Sequence, residues 1–485
     1  MAKLKSDGKI LETLTSLSKQ RGFIFQSSEI YGGLGSTWDY GPLGVELKRN
    51  IKNLWWDTMI KHRDNVIGMD SSILMHPDVW EASGHVENFH DPLVDNKESK
   101  KRYRLDHLLE EQDSTVITAL TGALNINNTK SSEDQIQAIV TALSDLDSSG
   151  DVLIKAGLID PSTGAVGEWT NLRQFNLMFK THIGPVSDSS SVAYLRPETA
   201  QGIFVNFLNA QSTSRQKLPF GIGQIGKAFR NEITTGNFIF RTREFEQMEM
   251  EFFCMGDESE KWLEYWSNER LEWFKSLGID EKKLRLRAHG KDELAHYSSA
   301  CYDVEYKFDF GWSELEGIAD RGSFDLDQHI AKSGKKMTYF DTTKNEHIVP
   351  SVVETSAGVD RALLTVLADA FEVEQIDGGT RNVLHLSPKI APITVAVFPL
   401  MNKGGMPELA KKLTNDLSER FSTFFDSGGS IGKRYRRQDE AGTPFGITID
   451  HDTLENNTVT LRDRDTMKQD RIPIEKVDGA ILDRL

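Results

Sequence analysis

The chain has 485 residues, of which 27% are charged and 38% hydrophobic, and its net charge is −16. A chain of this length is too long to fold around a single ordinary hydrophobic core, so we expect a globular protein of roughly two or three domains. The acidic total argues against a protein whose whole surface binds nucleic acid, although it is compatible with a local basic surface.

The sequence shows no signal for a membrane or for export. No apolar run is long enough to span a bilayer. The first residues carry an acid early and lack the apolar core of a signal peptide. Two cysteines alone, Cys254 and Cys301, cannot make a disulfide framework or a four-cysteine zinc site. We therefore expect a cytoplasmic protein.

The N-terminal part combines a helical pattern with a segment of different composition. A long helix is predicted to begin at Gly41-Pro42, since proline suits a first turn and apolar residues such as Leu47 and Ile51 follow at helical spacing. Residues 113–150 are rich in Ser, Asp, Asn and Thr and contain no aromatic residue. We interpret 113–160 as an insertion packed on the surface of the main domain.

Strand patterns dominate the region after this insertion. Strands adjacent in sequence, without regular crossover helices, favour an antiparallel sheet with helices on one side, which is an α+β fold. Beyond Pro388 a strand–helix–strand order predicts a separate C-terminal α/β domain of about a hundred residues. The expected division is 1–112 and 161–388 for the two parts of the main domain, 113–160 for the insertion and 389–485 for the C-terminal domain.

The predicted strand at 244–253 has charged residues on one of its two faces. Because strand side chains alternate, Glu249 and Glu251 share one face, whereas Met248 and Met250 share the other. Two carboxylates on one face repel unless a cation or solvent lies between them. Either this face is open to water, or it is the floor of a concave site that receives a positively charged group.

Arginines surround the hairpin that this strand forms with residues 220–230. Arg230 and Arg241 flank its mouth, and Arg243 follows. A guanidinium is a rigid fork of donors that matches phosphate and carboxylate oxygens. For any single one of these arginines, the alternative to a ligand contact is an ion pair on the protein surface.

Three further features have both a structural and a functional interpretation. Glu198 lies at a predicted helix N-terminus, where an acid suits the macrodipole. Arg361 lies one turn into a helix that follows small residues, as in an ordinary strand-to-helix turn. The basic run at 433–437 is either a solvated helix face or a nucleic-acid contact.

Together these segments resemble the class II aminoacyl-tRNA synthetases. Residues 226–232 resemble motif 2, 356–361 resemble motif 3, and 41–74 resemble the dimer-forming motif 1. Within the class, the chain is similar to glycyl-tRNA synthetases of the homodimeric type. The segments that carry this likeness are 80–85, 102–106, 196–202, 241–249 and 354–358, with 435–444 resembling that family's anticodon-binding domain.

The resemblance implies a fold and a reaction. The fold is the class II antiparallel sheet flanked by helices, followed by an α/β anticodon-binding domain. A homodimer activates glycine with ATP and Mg²⁺ to glycyl-adenylate, then transfers glycine to the 3′ end of tRNA(Gly). Arg230 would hold the α-phosphate and the glycine carboxylate, Arg361 the γ-phosphate and Arg241 the triphosphate. This is catalysis by positioning and electrostatic stabilisation.

The remaining roles also follow from the resemblance. Phe245 would stack on adenine, Glu314 would help hold ATP and Mg²⁺, and Glu232 would act with Arg230 and Arg361 in catalysis. The residues implied for ATP are Arg230, Asn231, Glu232, Phe240, Arg241, Thr242, Arg243, Glu244, Phe245, Glu314, Leu315, Gly358, Val359, Asp360 and Arg361. Those implied for tRNA are Arg434, Arg436 and Arg437.

Glycine offers only its ammonium and carboxylate for recognition. Glu198, Glu249, Glu354 and Ser356 are expected to surround the ammonium and to leave no space for a methyl group, which excludes larger amino acids by clash. No separate editing domain is then required. The full set implied for the substrate is Arg104, Glu198, Phe245, Glu246, Gln247, Met248, Glu249, Glu354, Thr355, Ser356, Ala357 and Gly358.

The chain departs from many relatives at one point, and two other functions stay open. Residues 94–100 contain no cysteine pair, so no zinc site and no dedicated metal ligands are predicted there. A fold does not prove a function. A non-catalytic binding protein on a synthetase fold and a synthetase for another small amino acid are the alternatives; the first is expected to lose motif arginines or substrate glutamates, which are all present here.

Overall fold

The computed structural model describes residues 10–126, 132–185, 191–233, 236–290, 298–376 and 379–485. The helix predicted at Gly41 is present as α2, with Pro42 in its first turn and Leu47 and Ile51 buried. A π-helical turn, Asp57–Lys61, continues it. The elements up to residue 89 are α1 (Ile10–Arg21), β1 (Ile24–Gln26), β2 (Trp38–Tyr40), α2 (Pro42–Trp56), β3 (Val66–Gly68), α3 (Pro77–Ala82) and α4 (His85–Asn88).

The next segment has a hydrophobic core of its own. Side chains from Val94 to Trp169 form one buried cluster, which includes four helices around a small sheet. This core extends beyond 113–160 at both ends, because Val94, Leu105 and Trp169 belong to it. The elements are β4 (His90–Asp95), β5 (Arg102–Arg104), α5 (Leu105–Glu110), α6 (Ser114–Ala123), α7 (Ser132–Ser144), α8 (Ser149–Lys155), β6 (Ile159–Asp160), β7 (Ala165–Val166) and β8 (Arg173–Asn176), with β5-β4-β8 as the sheet.

The central part of the chain forms a seven-stranded sheet. Its strands and their small partners are β9 (Lys180–His182), β10 (Val192–Tyr194), β11 (Phe220–Phe229), β12 (Glu244–Cys254), β13 (Leu284–Ala288), β14 (Ala300–Phe308), β15 (Gly311–Gly322), β16 (Tyr339–Asp341), β17 (Glu346–Ile348), β18 (Ser351–Gly358), β19 (Phe371–Ile376) and β20 (Gly379–Leu384). Its helices are α9 (Ala200–Val205), α10 (Phe207–Ser214), α11 (Ser259–Ser276), α12 (Phe324–Ser333) and α13 (Val359–Ala370).

The order of this sheet is β13-β14-β15-β18-β12-β11-β3. All neighbours run antiparallel except β11 and β3, which are parallel. The predicted α+β class and antiparallel sheet are therefore confirmed. The pairs β1-β2, β9-β10, β16-β17, β19-β20 and β6-β7 form small separate ribbons.

Helices cover both faces of the sheet, so the expectation of helices on one side was wrong. Met248, Met250 and Phe252 of β12 pack into the core with α2, α11 and α13. On the opposite face, α9, α10 and α12 pack against Phe220 and Phe253 at one end of β11 and β12. These aromatic residues lie at the strand ends, which leaves the middle of that face for a cavity.

The C-terminal domain is the predicted α/β unit. Its sheet has the order β22-β21-β23-β24-β25, with the first three strands parallel and the last two antiparallel to their neighbours. Its elements are β21 (Val395–Pro399), α14 (Met406–Leu417), β22 (Thr423–Phe425), α15 (Ile431–Ala441), β23 (Phe445–Ile449), α16 (His451–Asn456), β24 (Thr458–Asp463), β25 (Gln469–Pro473) and α17 (Val477–Leu482).

Buried polar contacts join this domain to the central part. Arg381 of β20 forms an ion pair with Asp439 of α15, Nε to carboxylate oxygen at 3.0 Å, with both side chains buried. Asn50 of α2 donates to the carbonyl oxygens of Ile390 and Ala391 at 3.1 Å each. Across the described ranges, no helix combines the length and the apolar character that crossing a membrane requires.

Candidate active site

A cavity of about 330 Å³ lies over the middle of the sheet. Strands β12, β15 and β18 contribute its floor, and the segment from Arg230 to Phe245 contributes one side. Sixteen of the residues predicted to bind ATP or glycine line it: Glu198, Arg230, Glu232, Phe240, Arg241, Thr242, Phe245, Gln247, Glu249, Glu314, Leu315, Glu354, Ser356, Gly358, Asp360 and Arg361.

Strand pairing assembles one end of the cavity. The antiparallel register places Glu249 of β12 opposite Ser356 of β18. Thr199 donates its hydroxyl to the Glu249 carboxylate. Gln247 donates its amide to the Ser356 hydroxyl at 3.2 Å and accepts from the Thr199 backbone N–H at 3.2 Å. These bonds fix the side chains of the cavity floor.

Two further carboxylates reach this end from other segments. Glu198, just before α9, lies 3.4 Å from Nε2 of His85 and accepts from the Gln201 amide at 3.0 Å. Glu354 of β18 accepts two bonds from Nη1 of Arg321, at 3.1 and 3.2 Å. Three carboxylates from separate segments thus line the same cavity.

The charge of this wall is only partly compensated. Burial, with Glu354 and Glu198 adding to its effect, raises the pKa of Glu249 to about 8. Burial also raises the pKa of Glu354, against the opposing effect of Arg321. Burial acts in the same direction on Glu198, but His85 and Arg321 outweigh it and lower the pKa of that group. A wall of buried carboxylates, in which like-charged neighbours raise the pKa of Glu249, is suited to receive a further cation.

A second group of lining residues, here called the basic end, contains arginines. The guanidinium of Arg230 lies between the rings of Phe89 and Phe245, 5.5 and 5.4 Å from their centroids, and donates to the Pro197 carbonyl at 3.0 Å. These contacts are of the cation–π type and hold the fork in one orientation.

Arg361 is fixed in a similar way. Its guanidinium lies 4.6 Å from the centroid of the Phe240 ring and donates to the Phe240 carbonyl at 3.3 Å. Nη1 donates to the Glu314 carbonyl at 3.1 Å and lies 3.3 Å from a carboxylate oxygen of the same residue. The cavity therefore has an acidic end and a basic end.

A third corner contains residues of types that ligate metals. Nε2 of His289 lies 2.7 Å from Asp303, and Cys301 is close to both. Across the strand pair, Gly317 faces Asp303, and a Cβ at Gly317 would lie 3.9 Å from Glu314 Oε1 and 4.0 Å from Asp303 Oδ1. Among the described residues, the metal-type groups with donor atoms within 4.8 Å are His289–Cys301–Asp303 and Glu249–Glu251–Glu354.

Strand alternation removes several predicted side chains from the cavity. Glu246 points to the other face, where it pairs with Lys48 and Lys52 at 2.8 and 2.9 Å. The prediction that its side chain binds glycine is corrected accordingly. The side chains of four more predicted residues are buried away from the cavity for the same reason or by their place in α13: Met248, Thr355, Ala357 and Val359.

Other predicted residues support the cavity from outside it. Arg104 pairs with Asp106, and with Asp91 at 3.1 Å. Arg243 donates to the carbonyl oxygens of Glu232 at 3.1 Å and Gly35 at 2.8 Å. The remaining two are Glu244, which pairs with Lys227 in an exposed bridge, and Asn231, whose backbone N–H donates to the Leu177 carbonyl at 2.7 Å.

Asp360 borders the cavity, yet its carboxylate is committed elsewhere. It accepts from the Tyr40 hydroxyl, from Nζ of Lys48 at 2.9 Å and from the backbone N–H of Glu246 at 2.9 Å. The predicted role in ATP binding therefore does not extend to this carboxylate, which instead ties α13 to α2.

The three basic residues predicted for tRNA differ in exposure. Arg434 is only 2% exposed, and its guanidinium donates to the carbonyl oxygens of Pro399, Asp426 and Gly429, so it is corrected to a structural residue. Arg436 donates to the Thr380 carbonyl at 2.7 Å in a hydrogen bond that is exposed to solvent. Arg437 forms an ion pair with Asp426.

Eight lining residues were not predicted. Arg321 could have been found, because strand alternation places it on the same face as Gly317 and Ala319, four and two residues earlier. His289 and Asp303 lie on neighbouring strands, and only the strand order brings them together. The eight are Ile239, His289, Ser298, Cys301, Asp303, Gly317, Ala319 and Arg321.

Comparison with known families divides the chain in three. Residues 179–370 match the tRNA synthetase class II core domain (G, H, P, S and T). Residues 91–177 match glycyl-tRNA synthetase insertion domain 1, and residues 394–484 match the anticodon binding domain.

Similar proteins extend over nearly the whole chain. A glycine–tRNA ligase of Chlorobaculum tepidum is 51% identical over 473 residues, which cover 96% of this chain and 98% of that protein. A glycine–tRNA ligase of Staphylococcus haemolyticus is 50% identical over 479 residues, covering 98% and 99%. A solved structure of Cryptosporidium parvum prolyl-tRNA synthetase aligns with a TM-score of 0.63 at 14% identity, covering 99% of this chain and 78% of that one, and it shows the fold alone.

Proposed function

The chain belongs to the glycine–tRNA ligases, a family of class II aminoacyl-tRNA synthetases, and we propose that the acidic end of its cavity holds glycine while the basic end holds ATP. Enzymes of this family use ATP to activate glycine as glycyl-adenylate and then transfer it to tRNA. The chain is such an enzyme.

The observation that carries the assignment of the glycine site is the convergence of Glu198, Glu249 and Glu354 around Ser356. The glycine ammonium would occupy the volume between these carboxylates and supply the charge that the wall lacks. The Gln247–Ser356 bond and the Thr199–Glu249 bond hold the floor in place, so a Cβ on the substrate would meet fixed side chains. Selection against alanine and serine then follows from a clash.

The arginines act on the charge that builds during the displacement at the α-phosphate. Arg230, aligned by Phe89 and Phe245, would hold the α-phosphate and the glycine carboxylate, and Arg361 the γ-phosphate. Arg241 would hold the triphosphate and Phe245 would stack on adenine. Donors fixed in advance lower the barrier because they need no reorganisation as the reaction proceeds.

Mg²⁺ fits the corner at Gly317. The carboxylates of Glu314 and Asp303 flank the space that this glycine leaves, and hard oxygen ligands are those that Mg²⁺ prefers. These two residues would hold it together with phosphate oxygens, and the ion would neutralise phosphate charge.

The C-terminal domain would contact tRNA through exposed residues of α15. Arg436 and Arg437, in the middle of α15, are the candidates, since their side chains are partly exposed. A local basic surface of this kind binds nucleic acid in a salt-dependent manner even on an acidic protein.

We also propose a homodimer in the cytoplasm. Ile30, Tyr31 and Leu34, between β1 and β2, are 88, 87 and 58% exposed, and a cluster of large apolar side chains on a surface marks an interaction site. The segment adjoins α2, which belongs to the region that resembles the dimer-forming motif.

The proposed division into domains is 1–112 with 161–388, 113–160 and 389–485. The buried cluster that reaches from Val94 to Trp169 supports wider limits for the insertion than 113–160. The matched C-terminal family at 394–484 supports a boundary close to 389.

Amino-acid-dependent exchange of labelled pyrophosphate into ATP tests the assignment. Glycine should support exchange, and alanine, serine and threonine should support it far less. A larger rate with any of these would contradict the specificity, and no rate with any amino acid would contradict the activity. Arg230→Ala should abolish exchange with an unchanged circular dichroism spectrum, whereas exchange within a few-fold of wild type would contradict the role of Arg230.

A further inference from the structure

Glu251 lies directly beneath the acidic end of the cavity. It is two residues from Glu249 on the same face of β12, and the antiparallel register places it opposite Glu354 of β18. The side chain is fully buried. Within the described ranges, neither of its carboxylate oxygens has a hydrogen-bond partner, although oxygens of Glu249 and Glu354 lie within 4.8 Å.

The charged groups around Glu251 come from several elements. Glu249 is on the same strand, Glu354 on β18 and Arg321 on β15, while Asp325 faces it from α12. Nη1 of Arg321 donates to Glu354, and its Nε and Nη2 donate to Asp325 at 2.7 and 2.9 Å. On the remaining neighbour, β11, the residue opposite Glu251 is the apolar Ile222.

Counting charges shows that this cluster cannot be fully ionised. Four carboxylates, with Glu198 as a fifth at the cavity wall, would face two guanidiniums among the described residues, Arg321 inside the cluster and Arg196 near Glu249, besides the His85 imidazole at Glu198. An uncompensated buried carboxylate is far more costly than a buried carboxylic acid. Burial, with Glu354 and Glu249 adding to it, raises the pKa of Glu251 well above its ordinary value.

We propose that Glu251 is a positioning residue that keeps its proton and uses it to donate a hydrogen bond to the Glu354 carboxylate, and that arrival of the glycine ammonium releases a proton from Glu249. The O–H bond of Glu249 breaks, its proton passes to solvent, and the ammonium keeps its own protons. Glycine binding then replaces a neutral acid by an ion pair, while Glu251 stays neutral. This inference rests on the proposed glycine site.

Two substitutions at Glu251 separate a neutral donor from an ionised carboxylate. Glu251→Gln keeps the shape and a donor without any charge, so the KM for glycine should stay within about threefold of wild type. Glu251→Leu removes the donor, and loss of a hydrogen bond to a charged group should raise that KM roughly tenfold or more with a smaller change in kcat. If Gln raises the KM as much as Leu does, Glu251 acts as an ion and the proposal fails.

Proton release gives a second readout that a purely structural role would not change. Calorimetric titration of the full-length enzyme with glycine at pH 7, in buffers of different ionisation enthalpy, should show release of close to one proton per glycine bound. The same count is expected for Glu251→Gln, and it should fall toward zero at pH 9, where Glu249 is already ionised.

Correspondingly, kcat/KM for glycine should rise by up to roughly tenfold per unit between pH 6 and 7.5 and level off above 8. A flat profile and no proton release would overturn the inference while leaving glycine-dependent pyrophosphate exchange intact. Absence of exchange in the wild type would instead overturn the proposed function. If Glu251→Leu does not fold, the proton count and the Gln variant still decide.

Discussion

Arg321 is the cation on which the acidic end of the cavity depends. It is 3% exposed and donates to Glu354 and Asp325 through four hydrogen bonds of 2.7 to 3.2 Å. Arg321→Gln removes the charge and leaves two buried carboxylates without it. Breaking a buried ion pair in this way costs about 3–5 kcal/mol of stability, unless the carboxylates take up protons.

The effect on glycine follows from the pKa of Glu354. Burial already raises that pKa and Arg321 opposes the rise. Without Arg321 the pKa of Glu354 rises further, so a larger fraction of this carboxylate is protonated and the ammonium loses part of a charged partner. A hydrogen bond to a charged group contributes about 1.5–3 kcal/mol, so the KM for glycine should increase by roughly 10- to 150-fold. The increase should be largest at low pH and shrink as pH rises and Glu354 ionises.

Pyrophosphate exchange across pH 6–9, together with thermal unfolding, measures both effects. Arg270→Gln is the matched control, because Arg270 also pairs with a buried glutamate of β15, Glu316, at 2.7 Å, but on the face away from the cavity. The control should lose stability and keep its KM for glycine. The reasoning is refuted if Arg321→Gln and Arg270→Gln change the glycine KM equally, or if the first leaves it within twofold.

Three other outcomes are expected. Phe245→Leu should raise the KM for ATP roughly tenfold, since stacking of a base on an aromatic ring contributes about 1–3 kcal/mol, and a change confined to glycine would contradict the adenine contact. Arg436→Ala should weaken tRNA charging and leave pyrophosphate exchange unchanged. Arg434→Ala, at a buried site, should lower the melting temperature. A lower melting temperature for Arg436→Ala, with weaker charging only for Arg434→Ala, would contradict both assignments. Ile30→Asp combined with Tyr31→Asp should yield a monomer by light scattering, and an unchanged dimer would place the interface elsewhere.

Local patterns predicted the fold where one periodicity dominates. The alternation in β12 placed Glu249 and Glu251 on one face and Met248 and Met250 on the other, and the buried clusters confirm that division. The same alternation should have removed Glu246 from the predicted substrate contacts, since its face is opposite that of Glu249. A match to a motif covers every residue of the strand, whereas only alternate side chains of a strand can reach the cavity.

What the sequence could not predict depends on contacts between distant segments. The His289–Asp303 contact requires the pairing of β13 with β14, and the support of Glu354 by Arg321 requires β15 beside β18. Similarly, nothing in the run of basic residues at 433–437 distinguishes Arg434 from Arg436, because burial of Arg434 depends on carbonyl groups at the end of β21 and in the segment that follows β22. The buried cluster of the insertion includes Trp169, with Tyr103 packed against it, and both lie outside 113–160, so the composition of 113–160 alone does not reveal this core.

A crystal structure with a hydrolysis-resistant glycyl-adenylate analogue would show whether Glu198, Glu249 and Glu354 hold the glycine ammonium. The ammonium nitrogen should lie within hydrogen-bond distance, up to about 3.2 Å, of at least two of these carboxylates, with Arg230 on the phosphate. An ammonium bound at the His289–Asp303 corner, with the three glutamates unoccupied, would contradict that assignment.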